Sequence, residues 1–142
     1  MLRRKVTDRL LSWKNNSHKA LLVTGARQIG KSYAVRAFGK GSYASYFEVN
    51  LLLDAEARDV LVGAKNAVDF INRVALLADA PLVEGDTLIF VDEIQEYPQI
   101  VTLMKALVED GRFSYIFSGS MLGTEFKGIS SFPVGYVEHI VM

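Results

Sequence analysis

The chain contains no cysteine, which excludes a disulfide framework and any thiolate metal site and is compatible with a reducing cytosol. It also lacks net charge, with 16 basic against 16 acidic side chains. The overall positive field on which non-specific nucleic-acid binding relies is therefore missing, and nucleic acid is not an expected partner. Arg3-Arg4-Lys5 is a local basic cluster of the kind found at solvated termini. No apolar segment follows these charges as a secretory signal requires. No run approaches the roughly 20 apolar residues that span a bilayer, so no membrane is expected and the localisation implied is cytoplasmic. Repeats and low-complexity tracts are also absent. What is present is a chain of 142 residues, half of them hydrophobic, which rules against disorder. One domain of this size buries roughly 68–70% of its unfolded surface.

Apolar periodicity organises the chain. Leu2, Val6, Leu10 and Trp13 fall on one face of a helix over residues 1–14, which Asn15-Asn16-Ser17 breaks. Ala20–Thr24 is a short buried strand. A helix opening at Ser32 runs to Gly39-Lys40-Gly41, where glycine suits a helix end. Residues 44–50 form a second strand. A short helix over 51–62 has Asp54 as a cap, and a firmer one over 66–77 presents Phe70, Ile71, Val74 and Leu77. After the Glu84-Gly85-Asp86 turn comes the acid-ended strand 87–93. Pro98 opens a further helix, with Ile100, Val101, Met104, Leu107 and Val108 toward the sheet. Strands at 113–117 and 134–141 complete the pattern.

Gly25-Ala26-Arg27-Gln28-Ile29-Gly30-Lys31-Ser32 fits G-x-x-x-x-G-K-[ST], the Walker A phosphate-binding loop, without mismatch, and it lies between a strand and a helix as that loop must. Gly25 and Gly30 allow the backbone to approach a ligand closely, and inward amide N–H groups form an anion nest at the positive end of the helix that Tyr33 continues. Lys31 supplies an ammonium for the β- and γ-phosphates. Ser32 offers a hydroxyl to Mg²⁺, a hard cation that takes oxygen ligands and keeps several waters. A glycine-rich surface turn could carry a lysine by chance, but the flanking strand and helix weigh against that. Arg27 has two open readings, a phosphate or subunit contact and an ordinary surface arginine.

Thr87-Leu88-Ile89-Phe90-Val91-Asp92-Glu93 is an apolar strand ending in two acids, the Walker B pattern. Its composition suits a strand buried on both faces of a parallel sheet. Asp92 then emerges at the carboxyl end, where open α/β sheets bind ligands, and can hold Mg²⁺ through its waters. Glu93 can take a proton from an attacking water as general base. Acids after strands are also common solvated caps, and it is the phosphate loop about sixty residues earlier that favours the chemical role. Ser118-Gly119-Ser120 follows another buried strand. Ser118 or Ser120 could sense a γ-phosphate or orient water, and the same three residues also read as an ordinary turn. Gln95 reads as a loop or capping residue more readily than as a water ligand. His18 and His139 are isolated from acids and suggest no metal.

Alternation of strands and helices gives an α/β three-layer sandwich around a mostly parallel sheet. For the two motifs to meet, the strand ending at Ser118 to Ser120 must lie between the loop-bearing strand and the acid-bearing strand. That is the ordering of the additional-strand class of P-loop NTPases.

With these motifs placed, the chain resembles the AAA-type ATPase domain at the start of longer bacterial and archaeal ATP-binding proteins that carry a second, poorly characterised C-terminal domain. The resemblance rests on Gly25 to Ser32, on Ile89-Phe90-Val91-Asp92-Glu93-Ile94-Gln95 and on Ser118-Gly119-Ser120, and it covers nearly all of the chain. It implies ATP and Mg²⁺ as ligands, with Lys31, Ser32 and Asp92 around them, Glu93 as base and Ser120 as sensor. It further implies a single AAA-type core domain over 1–142 without the helical lid and C-terminal domain of such proteins, and a homo-oligomer or protein partner. Many relatives carry an arginine in a Leu-Ala-Gly-Arg stretch, where this chain has Ile129-Ser130-Ser131-Phe132-Pro133-Val134-Gly135. The expectation is Mg-ATP binding by part of an ATPase, with slow or no turnover by this stretch alone. A nucleotide-gated protein-binding module is the alternative. A P-loop small-molecule kinase fits less well, because Lys127 is the one basic side chain charged at neutral pH between Gly119 and Met142.

Overall fold

The computed structural model describes residues 2–25, 29–119, 133 and 135–141, with the backbone alone at 2–4 and 29. Among them are five strands: β1 (Ala20–Thr24), β2 (Ser45–Asn50), β3 (Thr87–Asp92), β4 (Ser114–Gly119) and β5 (Val137–Val141). They form one parallel sheet in the order β2-β3-β4-β1-β5. β4 thus lies between β1 and β3, as the additional-strand ordering requires. The helices are α1 (Leu2–Asn16), α2 (Ile29–Ser42), α3 (Ala55–Val62), α4 (Ala67–Leu77) and α5 (Val101–Asp110).

Side-chain alternation along the strands separates two cores. Leu22, Phe47, Val49, Ile89, Val91, Tyr115 and Phe117 point to one face, where they pack with Leu61, Phe70, Val74, Met104 and Leu107 of α3, α4 and α5. Leu21, Val23, Leu88, Phe90 and Ile116 point to the other, against Val6, Leu10 and Trp13 of α1 and Val35 and Phe38 of α2. β3 is buried along its whole length, as a central strand covered on both faces must be. Each of its large apolar side chains contributes about 1.5–3 kcal/mol by leaving water. α1 is fastened at its end by Trp13, whose indole Nε1 donates to the Lys19 carbonyl at 2.8 Å.

Local chemistry sets most boundaries. Asp54 caps α3 through a 3.0 Å bond from the Ala57 amide, and Asn66 caps α4 through a 2.8 Å bond from that of Asp69. Gly111 ends α5 at φ 73, where an L side chain is strained. Several elements differ from the sequence reading. α1 continues through Asn16, and α3 begins at Ala55 because Asn50 first caps a turn, accepting from the Leu52 and Leu53 amides at 2.9 and 3.0 Å. Pro98 opens a short 3₁₀ turn to Ile100 ahead of α5. Within α5, Leu103 is buried, while Val101 and Val108 are half-buried. β5 starts at Val137.

The instructive difference is α2. It starts at Ile29, inside the phosphate-loop pattern, and runs past Gly39 to Ser42. Gly39 is therefore not a terminator. A Cβ there would lie 2.4 Å from the Tyr46 ring and 2.9 Å from a Leu88 methyl. The glycine lets the helix sit directly on β2 and β3.

Candidate functional site

All five strands are parallel, so their carboxyl ends share one edge of the sheet, and the motif residues collect there. β1 ends at Thr24, which is buried and whose hydroxyl lies 2.6 Å from His139 Nε2 on β5. Gly25 follows at φ 145, a conformation that favours glycine. α2 begins four residues on, so the N–H groups of its first turn open toward this edge. A Cβ at Gly30 would meet nothing within 4 Å, leaving space at the helix mouth. Lys31 is buried at 7% exposure, and its ammonium donates to the Gly119 carbonyl at the end of β4 at 3.4 Å. Among the described residues it has no carboxylate partner.

The acid opposite is placed by strand parity. Asp92 shares the face of Leu88 and Phe90, and Ser118 shares the face of Ile116, the side covered by α2. The register Val91↔Phe117 makes Asp92 and Ser118 the next neighbours along the pair. Asp92 Oδ2 accepts from the Ser32 hydroxyl at 2.7 Å. Oδ1 accepts from the Glu93 amide at 2.9 Å and also takes a short bond from the Ser118 hydroxyl. Among the described residues the carboxylate is thus held by two hydroxyls and one amide, all neutral. Ser32 and Asp92 together offer hard oxygen ligands side by side, the donor set that Mg²⁺ takes when water and phosphate complete its shell. No group of three or more His, Cys, Asp or Glu side chains among the described residues could form an all-protein metal cage.

Glu93 leaves the strand at φ 59, the left-handed region, where no other described non-glycine residue lies. Such a residue costs of order 1–3 kcal/mol and is held by its surroundings. Its carboxylate accepts from Gln95 Nε2 at 2.6 Å, and both residues are buried. Among the described residues Gln95 Oε1 has no hydrogen-bond partner.

Lys31, Ser32, Asp92 and Glu93, proposed separately from sequence, stand at one edge with Gly25 and Gly30. Tyr33 is about half exposed on α2. Ala26, Arg27, Gln28 and Ser120 lie outside the described residues, and of Ile29 only the backbone is described. Ser118 lies within β4 and is fully buried, which removes the simple turn reading for that residue. Its bond to Asp92 was missed, although counting alternate residues back from Ser118 and Asp92 puts both on the α2 side. Gln95, expected as a loop or capping residue, is buried, and nothing in its local pattern reports that burial. One helical turn beyond Ser32, Arg36 makes a bidentate pair with Glu48 of β2 at 2.7 and 2.8 Å, joined by the Tyr46 hydroxyl at 2.7 Å. Burial pushes the Glu48 carboxyl up, but the bonds from Arg36 and Tyr46 outweigh it and hold the group below its ordinary range.

A family model described as AAA domain matches residues 17–142. No curated protein matches the chain. Among solved structures, C. elegans PCH-2 is similar at a TM-score of 0.52 and 14% identity, over 99% of this chain and 39% of that one. A single-residue variant of Thermotoga maritima RuvB is similar at a TM-score of 0.50 and 12% identity, over 97% of this chain and 43% of that one. The chain therefore spans about two fifths of each of these structures. At such identities the likeness concerns the fold, and the family match covers most of the chain.

Proposed function

This chain belongs to the AAA domain family and has the fold of a nucleotide-binding P-loop ATPase-like domain, and from that premise we propose that it binds Mg-ATP at the carboxyl edge of its sheet and serves hydrolysis to ADP and phosphate. The observation that carries this reading is the buried Lys31 ammonium at the mouth of α2. It has one long bond to a backbone carbonyl and no acid to neutralise it among the described residues. A buried charge without a partner is costly, and a polyphosphate would supply both the missing charge and better acceptors.

Each residue has a task in this reading. The first-turn amides of α2 and the nest around Gly25 and Gly30 bind phosphate oxygens. Lys31 turns from the Gly119 carbonyl to the β- and γ-phosphates. Ser32 and Asp92 would hold Mg²⁺, which when bound neutralises charge on the phosphate oxygens. Ser118 and the Glu93 amide keep the Asp92 carboxylate oriented toward Ser32. Glu93 accepts a proton as a water oxygen bonds to the γ-phosphorus, and the bond to the bridging oxygen breaks with its electron pair leaving on ADP. The segment acts as an ATP-binding core, with a further copy of the chain or another protein as its partner in assembly. Among the described residues no helix is long and apolar enough to cross a membrane.

Calorimetric titration of Mg-ATP into the wild type and Lys31→Ala tests the site. Loss of one charge-assisted contact of about 1.5–3 kcal/mol predicts roughly 10- to 100-fold weaker binding in the variant. Equal affinities would remove Lys31, and with it the site. Glu93→Gln should keep nucleotide affinity and lower any measured turnover by about 10²–10⁴-fold, the range of general base catalysis. Unchanged turnover in that variant would strip Glu93 of the role.

A further inference from the structure

Beyond the residues of the two motifs, one buried side chain at this edge is unexplained by packing. Gln95 lies in the short 3₁₀ turn Ile94–Glu96 that follows β3, at 9% exposure. Its Nε2 donates to Glu93 Oε1 at 2.6 Å. The reverse amide orientation would set oxygen against a carboxylate oxygen, two acceptors in contact, so the donor faces Glu93. The other end of the carboxamide meets β4. A Cβ on Gly119 would lie 2.8 Å from Gln95 Oε1 and 3.4 Å from Ile94 Cγ1. The absence of a side chain at Gly119 is what admits the amide. Among the described residues Oε1 is buried there without a hydrogen-bond partner, an uncommon condition for a buried acceptor and one that calls for a reason. The carbonyl of this same Gly119 receives the Lys31 ammonium at 3.4 Å.

Three groups therefore converge on one glycine: the candidate phosphate-binding ammonium through its carbonyl, the carboxamide of Gln95 through the space where a side chain would be, and the candidate base through Gln95. We infer that Gln95 is a positioning residue for hydrolysis: it fixes the Glu93 carboxylate through Nε2 and, resting on Gly119, ties that carboxylate to the strand end from which Lys31 departs when phosphate binds. The inference rests on the Mg-ATP reading of the site. Lys31 and Gln95 both meet Gly119. Phosphate draws the ammonium off the Gly119 carbonyl, the environment of Oε1 changes, and a donor brought with the loaded site, water included, can fill the free acceptor. Gln95 then holds its side of the Glu93 carboxylate in place. The sequence connects Gln95 and Gly119 in no visible way, but each explains the other here, one as a buried amide and the other as the gap that houses it.

The test begins with the side-chain carboxamide of Gln95 in ¹⁵N-labelled protein, assigned by its loss in Gln95→Leu, during titration with the magnesium complex of a non-hydrolysable ATP analogue. The expected result is that the Gln95 carboxamide signals move together with the backbone amides of Gly30 to Tyr33, and that Glu93→Gln alone displaces them in the nucleotide-free protein. Motion of the Gly30 to Tyr33 amides with a stationary Gln95 carboxamide would overturn the inference and leave nucleotide binding intact. No response at either place would overturn both. This readout needs no turnover, so it decides even where hydrolysis is too slow to follow. Where single-turnover hydrolysis is measurable, Gln95→Leu should lower its rate about tenfold or more, part of what a general base supplies, with nucleotide affinity held within about twofold. Gly119→Ala should reproduce that split by displacing the amide, and the double variant should be no slower than the slower single one. Loss of affinity in proportion to rate, or wild-type hydrolysis by Gln95→Leu, would reduce Gln95 to a structural residue.

Discussion

Glu48 on β2 and Asp92 on β3 stand on neighbouring strands and face the same helix, yet their surroundings differ in kind. α2 presents Arg36 to Glu48 and, one turn earlier, Ser32 to Asp92. Glu48 is matched charge for charge, with both oxygens on the Arg36 guanidinium and a tyrosine hydroxyl added. Asp92 is met by neutral donors alone among the described residues, while the nearby Lys31 ammonium is buried without an acid. A carboxylate paired with its own cation has nothing further to offer a ligand. A carboxylate and an ammonium kept apart in one edge of the sheet leave two opposite charges that the proposed nucleotide and its metal would complete. Where α2 is fastened to the sheet by Arg36 the ion pair is closed, and at the proposed nucleotide site it is left open.

The strongest challenge to this contrast is Lys31→Met. Mg-ATP at about one hundred times its Kd should stabilise the wild type by about 2.7 kcal/mol, seen as a higher melting temperature, and the variant should lose that protection. The nucleotide-free variant should melt no lower than wild type, because the substitution removes a buried charge that has no counter-charge among the described residues. A marked drop in its melting temperature would make Lys31 a structural residue like Arg36 and dissolve the distinction.

Gly39→Ala probes what both pairs share. The new Cβ would lie 2.4 Å from the Tyr46 ring, and lifting α2 off the sheet should cost about 1–3 kcal/mol in denaturant unfolding, the usual penalty of overpacking. It should also weaken nucleotide binding, because Ser32 and Lys31 ride on the same helix. Arg36→Ala should act on one side of the comparison only. Arg36 is 43% exposed against 21% for Glu48, so solvent screening limits the loss to about 1 kcal/mol of stability, and Mg-ATP affinity should stay at the wild-type value in calorimetry.

The smallest effect is a pH dependence. The folded Glu48 carboxyl holds its proton less tightly than the same group in the unfolded chain, whose ordinary pKa is 4.5. Its contribution is therefore full above that pH and is lost as the pH falls through the depressed folded value. Urea midpoints of the wild type should decline across this acidic window more steeply than those of Glu48→Gln. Parallel curves would show that the Arg36 pair is not linked to folding.

Much of this arrangement was legible before any coordinates. Ala20–Thr24 and the strand ending at Asp92 stand where their apolar runs put them, because a strand covered on both faces must be apolar throughout and must stop where charge begins. Asp54, Asn66 and Gly111 do at helix ends what their side chains, or the lack of one, suit them to do. The errors share a cause. Gly39 suits a helix end by its local preference, whereas its reason here is the Tyr46 ring on a different element. Ser118 is open in the sequence between a turn and a site residue because Ser-Gly-Ser is locally turn-like, and the sheet holds it as strand. Gln95 looked like a cap because burial is not written in three residues of sequence.

The sequence by itself determined the strands and helices, the phosphate-loop spacing, and the acid at the end of β3. These depend on periods of two and 3.6 residues and on contiguous motifs, all of which are local. The tertiary structure alone decided that Lys31 reaches Gly119, 88 residues away, and that Ser32 and Ser118 share the Asp92 carboxylate across 60 and 26 residues. Those contacts exist because β4 inserts between β1 and β3 in a parallel sheet, which brings distant strand ends to one edge and fixes by parity which side chains meet there.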